Sequence, residues 1–284
     1  MLIGAGTVPI TGLPLTKGGV EFEEGVLTVG NQRFTVTQGV ATMVAAAAVS
    51  CDALGLTKPY AVVAGDIGKG DGSQAIYDAL KHDIRTLHPD VIVMHYLQPS
   101  IKDMRDVVEA LANDADRLVL IADAGSMYVA KAAGVAQQFD LFTPDPGEMA
   151  FLADPDALHP AYVRHFFFEV DSSKIPNLIR QAYEYGNASK VLLVKGSVDY
   201  IAREGVVLAR IKEPAIPAME AIGGTGDTLT GIVSALVYAK YDLVDAATYA
   251  ARINRVAGKL LHPTAATQVS DLISYIPTAI KMVL

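Results

Sequence analysis

Cysteine, tryptophan and histidine are scarce in this chain of 284 residues, which contains one cysteine, no tryptophan and six histidines. A single cysteine, Cys51, excludes an internal disulfide framework and is typical of a protein from a reducing compartment. It lies in an apolar run, so we interpret it as a small buried side chain rather than a nucleophile. Because the histidines and the cysteine form no close pairs along the chain, their spacing predicts no metal site built by the protein alone.

Basic residues are also in deficit, with 23 lysines and arginines against 31 aspartates and glutamates and a net charge of −8. This balance argues against a general nucleic-acid surface. Long apolar runs are missing too, since the alanine-rich segment 40–54 is too short to span a bilayer. The first residues hold no basic cluster before an apolar stretch, so we expect no signal peptide and a cytoplasmic protein without membrane partners.

What the chain does contain is enough apolar sequence for one large core, with 51% hydrophobic residues. We therefore expect a single domain over residues 1–284. At least five apolar runs of strand length are each followed by a helical pattern, among them the runs at 60–64, 91–94, 117–122 and 190–194. This alternation predicts a three-layer α/β/α protein with a central, mostly parallel sheet. Short alternating segments in residues 18–37 predict a small antiparallel meander appended to it.

Three glycines within four positions stand directly before an amphipathic helix in the last quarter of the chain. The apolar stripe of that helix consists of Leu229, Ile232, Val233, Leu236 and Val237. Free backbone N–H groups and the positive end of the helix dipole converge at such a start, which makes an anion site. The predicted phosphate loop consists of Gly223, Gly224, Thr225 and Gly226. The next residue, Asp227, could cap the helix, but the glycine cluster favours a catalytic base.

Three segments carry a resemblance to a known family. The Gly-Gly-Thr-Gly-Asp sequence ending at Asp227 resembles the anion hole and catalytic aspartate of the ribokinase-like superfamily. Residues 143–150, Thr-Pro-Asp-Pro-Gly-Glu-Met-Ala, resemble the Thr-Pro-His-Pro-Gly-Glu-Met-Ala segment of the ATP- or ADP-dependent NAD(P)H-hydrate dehydratases. Residues 191–196 resemble the strand of that family that ends in Lys-Gly. The resemblance extends from about Asp140 to Gly258 and implies the ribokinase-like fold.

The resemblance also implies the ligands of the nucleotide side. ATP or ADP would bind the glycine loop, together with Lys195 and Gly196 at the end of a predicted strand, where ligands of open α/β sheets gather. From its sequence position alone, Lys195 is either a phosphate contact or a solvated surface group. Mg²⁺ would arrive with the nucleotide and be held partly by its phosphates.

Five residues are candidates for the substrate side. Asp66 and Gly68 lie in a glycine-rich loop between a predicted strand and helix, where they would contact hydroxyls or a metal-bound group, or else form a surface loop. Asp123 matches the first acid of the family's Asp-Ala-Asp-Ala segment, and Asp145 replaces its histidine. Glu148 either stabilises a helix start or acts through metal or water.

One loop departs from the family pattern. Residues 95–100 replace the family's Gly-Pro-Gly-Leu-Gly loop, and the loss of those glycines indicates a changed fit for the substrate. We interpret His95 as a loop histidine with satisfied hydrogen bonds rather than as a base.

The sequence leaves three functions open. The resemblance favours repair of hydrated NAD(P)H, in which a ring hydroxyl is phosphorylated and phosphate then leaves. The altered loop and Asp145 favour a kinase that acts on a sugar or a hydroxymethyl heterocycle, and a nucleotide-binding regulator without turnover is the third. The meander and the phenylalanine run 166–168 suggest buried subunit contacts, so we expect a homo-oligomer with a small-molecule substrate.

Overall fold

The computed structural model describes residues 1–112, 118–157, 172–264 and 266–284. The phenylalanine run 166–168 and the first residue of the predicted strand 117–122 lie outside these ranges. Among the described residues, no helix is both long and apolar enough to cross a membrane.

Eleven strands form one sheet within the described ranges. They are β1 (Leu2–Val8), β2 (Thr16–Glu23), β3 (Val26–Val29), β4 (Gln32–Thr35), β5 (Tyr60–Gly65), β6 (Val91–His95), β7 (Val119–Asp123), β8 (Leu141–Phe142), β9 (Val191–Val194), β10 (Asp199–Arg203) and β11 (Val206–Ile211). Their spatial order is β11-β10-β9-β8-β7-β6-β1-β5-β2-β3-β4. The six strands from β9 to β5 are parallel, and the strands outside them pair antiparallel.

Nine α-helices cover this sheet in the described part of the chain. They are α1 (Val40–Ala53), α2 (Asp71–His82), α3 (Ile101–Ala112), α4 (Gly125–Ala132), α5 (Pro146–Ala153), α6 (Ile175–Glu184), α7 (Thr225–Tyr238), α8 (Leu243–Leu261) and α9 (Val269–Val283). One hydrophobic cluster packs α1, α7, α8 and α9 against one face of the sheet. A second cluster packs α2 to α6 against the other face. The predicted three-layer α/β/α class with a mostly parallel centre is confirmed.

The predicted meander continues the main sheet. β2 pairs antiparallel with β5 through its first half, from Thr16 to Gly19, and with β3 through its second half. β3 and β4 then complete the edge. Because β2 changes its partner partway along, the meander turns away from the parallel strands while staying attached to them.

The central strand β1 was not recognised from the sequence, because glycine and alanine are poor strand formers. Packing explains these small residues. A Cβ atom at Gly4 would lie 2.6 Å from Val44 of α1, and one at Gly6 would lie 2.1 Å from the carbonyl oxygen of His95. The helix and the neighbouring strand therefore come closer to β1 than any side chain would allow.

A glycine also sets the contact between α1 and α7. A Cβ atom at Gly231 would lie 2.3 Å from the carbonyl oxygen of Met43 and 2.8 Å from Cβ of Ala46. The two helices pack backbone to backbone at this point, and they start from neighbouring positions at the edge of the sheet where the strands end.

We expect Gly231→Ala to destabilise the protein by about 1–3 kcal/mol, the usual range for overpacking. The sign of this change in stability is informative, because alanine in a helix interior would otherwise stabilise the protein by about 1 kcal/mol relative to glycine. Urea unfolding measures the change. Gly19→Ala is the control, since no described atom lies within 4 Å of its added Cβ, and it should leave the free energy of unfolding nearly unchanged. Equal stability of both variants would contradict the proposed close contact.

Candidate active site

The predicted phosphate loop leads into α7 as the sequence indicates. Gly224 is the N-cap residue with a left-handed φ of 94°, and Thr225 begins the helix. A Cβ atom at Gly224 would lie 3.1 Å from the carbonyl oxygen of Thr37 and 3.3 Å from Cα of Gln38. Glycine is required there both for the backbone angle and for this approach. Because Gly224 is the N-cap, Asp227 lies in the first turn and does not cap the helix.

The side chain of Asp227 reaches across to two other elements. Its Oδ2 accepts a hydrogen bond of 2.5 Å from the backbone N–H of Gly39, which directly precedes α1. Its Oδ1 lies 2.9 Å from Nε2 of His95 at the end of β6. The starts of α1 and α7 therefore converge on one carboxylate, and the positive ends of both helix dipoles favour negative charge at this place.

Asp123 lies beside this carboxylate for a reason of register. It is the last residue of β7 and pairs with His95, the last residue of the neighbouring β6. Its Oδ2 lies 3.4 Å from His95 Nε2 and accepts a hydrogen bond of 2.6 Å from Thr230. Its Oδ1 accepts a hydrogen bond of 2.7 Å from Nζ of Lys195, the residue that follows β9. The carboxyl ends of three parallel strands thus meet the first turn of α7.

Charge governs the protonation of these groups. Burial alone would lower the pKa of His95, but the charge of Asp227 and the hydrogen bonds with Asp123 and Asp227 outweigh it and raise the pKa to about 9. Burial would raise the pKa of Asp123, yet the charge of Lys195 holds it well below its usual range. Asp123 in turn outweighs the burial of Lys195 and raises the pKa of the lysine. At neutral pH the cluster therefore holds cationic His95 and Lys195 against ionised Asp123.

Two strained residues adjoin this cluster. Tyr96 and Ala124 follow His95 and Asp123 directly, and their φ angles are 51° and 48°. Residues other than glycine rarely adopt such backbone angles, and those that do are concentrated at functional sites. Thr7 of β1 fixes one of the two by donating a hydrogen bond to the carbonyl oxygen of Tyr96.

The placement of His95 in a loop is wrong. His95 ends a strand, its side chain is fully buried, and its Nε2 faces two carboxylates. The sequence hid this because the strand was predicted to end one residue earlier and because 132 residues separate His95 from Asp227. Gly39 was also missed. A signal existed for it, since it stands directly before an apolar helical run, as the glycines of the phosphate loop do.

Asp145 and Glu148 form a reciprocal cap at the start of α5. The Asp145 side chain accepts a hydrogen bond of 2.8 Å from the Glu148 N–H, and the Glu148 side chain accepts one of 2.8 Å from the Asp145 N–H. Tyr128 donates a further hydrogen bond of 2.9 Å to Glu148. Burial, and then the charge of Asp145, raise the pKa of Glu148. Helix-end stabilisation is therefore present, and a role through metal or water stays a prediction.

Helix α8 holds both loops of the predicted nucleotide side. Asn254 donates a hydrogen bond of 3.1 Å to the carbonyl oxygen of Thr225 and accepts one of 2.7 Å from Thr228. The next residue, Arg255, forms a buried ion pair of 2.7 Å with Asp199. Arg255 also donates a hydrogen bond of 2.9 Å to the carbonyl oxygen of Gly196. Neither Asn254 nor Arg255 was singled out from the sequence, since both lie in an ordinary amphipathic pattern.

The predicted substrate loop after β5 is organised by Asp66. Its Oδ1 accepts hydrogen bonds of 2.9, 2.9 and 3.0 Å from the N–H groups of Gly68, Lys69 and Gly70. Its Oδ2 accepts two more from the N–H and hydroxyl of Ser73. The carboxylate thus holds its own loop in place, and this loop lines a cavity of about 310 Å³. Contact of Asp66 or Gly68 with a substrate stays a prediction.

The ligand atoms of His95, Asp123 and Asp227 lie within 4.8 Å of one another, close enough for a metal ion. No such group was apparent from sequence spacing, because the fold alone brings the three residues together. The donors already present argue against an ion here. Lys195, Thr230 and the Gly39 N–H occupy the carboxylates, and the ammonium of Lys195 would repel a cation.

The sheet order, the two helix layers and the glycine loop before α7 define a protein of the ribokinase-like class. Escherichia coli phosphofructokinase-2, solved with fructose-6-phosphate, superposes with a TM-score of 0.55 at 11% identity, covering 99% of this chain and 100% of the kinase. The Bacillus subtilis ADP/ATP-dependent NAD(P)H-hydrate dehydratase, co-crystallised with ATP/Mg²⁺, superposes with a TM-score of 0.56 at 16% identity, covering 86% and 84% of the two chains.

Within this class, the chain belongs to the NAD(P)H-hydrate dehydratase family, whose model matches residues 16–278. An uncharacterized protein of Methanocaldococcus jannaschii is 44% identical over 220 residues, which are 78% of this chain and 90% of that protein. The bifunctional NAD(P)H-hydrate repair enzyme of Pyrobaculum aerophilum is 30% identical over 220 residues. That match covers 69% of this chain but 42% of the repair enzyme, so the chain spans less than half of it.

Proposed function

We propose that this protein is an ATP- or ADP-dependent NAD(P)H-hydrate dehydratase. In this proposal it phosphorylates the hydroxyl of the hydrated nicotinamide ring, with Asp227 as the base, and phosphate then leaves. The observation that carries the proposal is the position of the Asp227 carboxylate, where the starts of α1 and α7 meet at the carboxyl edge of the sheet. The family match and the name of the Pyrobaculum relative support the substrate.

Phosphoryl transfer needs mainly positioning and neutralisation of charge on the transferred group. The N–H groups of Gly224, Thr225 and Gly226 would provide this neutralisation for the phosphates. The substrate oxygen bonds to phosphorus as the bond to the leaving nucleotide breaks, and the hydroxyl proton passes to Asp227. In the second step phosphate leaves with the electrons of the C–O bond, and the neighbouring ring carbon loses a proton to restore the double bond.

The nucleotide side would be completed by Lys195, Gly196 and Mg²⁺. Mg²⁺ fits Asp145 and Glu148, because burial first and then the charge of Asp145 raise the pKa of Glu148, and a divalent cation would stabilise the ionised carboxylate. When bound, Mg²⁺ neutralises part of the phosphate charge. Lys195 would add a further positive charge near the same phosphates.

A cytoplasmic location and a homo-oligomeric state also stay predictions.

The proposal is tested with hydrated NADH, Mg²⁺ and either ATP or ADP. We expect the absorbance of NADH to return, with one phosphate released per NADH recovered. The donor that gives the larger kcat/KM identifies the nucleotide. Gly19→Ala serves as a control variant with an unaltered site.

Two results would contradict the repair function. A phosphorylated sugar or pyrimidine alcohol that accumulates without recovery of NADH would establish a kinase instead. The altered loop at residues 95–100 is the observation that favours this alternative, because it would face the substrate. Nucleotide binding without any turnover would indicate a regulator.

A further inference from the structure

The buried imidazole of His95 lies between two carboxylates. Its Nε2 is 2.9 Å from Asp227 Oδ1 and 3.4 Å from Asp123 Oδ2. Ionised carboxylate oxygens only accept hydrogen bonds, so the ring must carry a proton on Nε2. Within the described residues, Nδ1 has no hydrogen-bond partner. The ring is therefore held through one nitrogen.

The two carboxylates differ in their other partners. Asp123 has a cation of its own in Lys195 and a donor in Thr230. Asp227 has the neutral N–H of Gly39 on one oxygen and His95 on the other. Among the described residues, His95 therefore supplies the closest positive charge to Asp227. Hydrogen bonds hold both oxygens of that carboxylate in place.

We propose that His95 is a positioning residue that orients the Asp227 carboxylate for the reaction. The inference rests on the proposed role of Asp227 as the base. It assigns a role to the first residue of the segment 95–100, which departs from the family's glycine-rich loop. Tyr96, whose ring centroid lies 4.6 Å from that of His95, covers the imidazole on the side of the altered loop.

The surrounding charges determine the pH range of this effect. Asp123 from β7 and Asp227 from α7 face the imidazole, and Tyr96 lies against it. Lys195, which follows β9, binds Asp123. The carboxylates raise the pKa of His95 to about 9, so the imidazolium persists through neutral pH. Its ion pairing with the carboxylates contributes fully to stability below about pH 6.5, the pKa of histidine in the unfolded chain. This contribution is lost as the pH rises through the pKa of about 9 in the folded protein.

Two variants separate charge from hydrogen bonding. We expect His95→Phe, which removes both, to lower kcat about 10- to 100-fold, as for misplaced catalytic groups, with KM for the nucleotide within about threefold. We expect His95→Gln to restore much of kcat through its amide donor. His82→Gln, at an exposed histidine of α2, should change neither quantity.

Unchanged kcat in both variants would overturn the proposal. So would an equal loss of kcat in both variants, since that pattern indicates a merely structural role. If His95→Phe fails to fold, NMR titration of the His95 ring in the wild type still tests its contact with Asp227.

A titration of the resting protein tests the contact without any substrate. NMR of the histidine rings should show His95 titrating near pH 9 in the wild type and at clearly lower pH in Asp227→Asn, which removes one charge. Titration of His95 at an ordinary pH in the wild type would refute the proposal even if the protein repairs hydrated NADH. If His95 titrates as expected but the protein does not repair hydrated NADH, only the proposed substrate is refuted.

Discussion

Asp227→Asn is expected to lower turnover by about 10²- to 10⁴-fold, the range for loss of a general base. Asparagine keeps the shape of the side chain, and its carbonyl oxygen can still accept the hydrogen bond from the Gly39 N–H. The affinity for nucleotide should stay equal or rise slightly, because a negative charge near the phosphates is removed. Steady-state kinetics and calorimetric titration with ADP and Mg²⁺ measure the two quantities.

Asp245→Asn is the matched control. Asp245 lies in the first turn of α8, as Asp227 lies in the first turn of α7, but Asp245 is exposed. It should retain full activity. If Asp227→Asn kept more than about a tenth of the wild-type rate, the barrier would have risen by less than about 1.4 kcal/mol. Asp227 would then not be the base.

Gly224→Ala is expected to weaken the binding of ATP and ADP by at least about tenfold. Alanine at a φ of 94° costs about 1–2 kcal/mol, and 1.4 kcal/mol corresponds to a factor of ten in affinity. The added Cβ would also lie 3.1 Å from the Thr37 carbonyl and 3.2 Å from Val269. The loop must shift to relieve these contacts, and its N–H groups would lose their common direction. Calorimetric titration measures the loss.

Gly134→Ala separates backbone strain from the effect on the phosphate loop. Gly134 has a φ of 70°, and no described atom lies within 4 Å of its added Cβ. The variant should lose stability but bind nucleotide normally. Equal affinity of wild type and a folded Gly224→Ala protein would mean that the phosphates bind elsewhere.

The local structure around the predicted phosphate loop and Lys195 could be predicted because its signals are local. The phosphate loop and the start of α7 are contiguous in sequence, and Lys195 directly follows an unbroken apolar strand. The alternation of strands and helices likewise predicted the three layers. Each of these inferences uses a pattern shorter than about 20 residues, over which periodicity is informative.

The cluster around Asp227 could not be predicted because its contacts are distant in the sequence. His95 and Asp123 become neighbours through strand register, and Gly39 reaches Asp227 only because α1 packs on α7. Asp66 shows the converse case. Its position in a glycine-rich loop predicts ligand contact, and that contact stays a prediction. The sequence did not predict that its carboxylate binds the N–H groups of its own loop.

The attachments of α8 have a mechanical consequence. Asn254 holds the phosphate loop, and the adjacent Arg255 holds the segment that begins at Gly196. Any rotation or sliding of this one helix would displace both loops together, and neither loop can detach without breaking hydrogen bonds to the same helical turn. The glycine loop before α7 and the segment at Gly196 therefore share one anchor and are mechanically coupled.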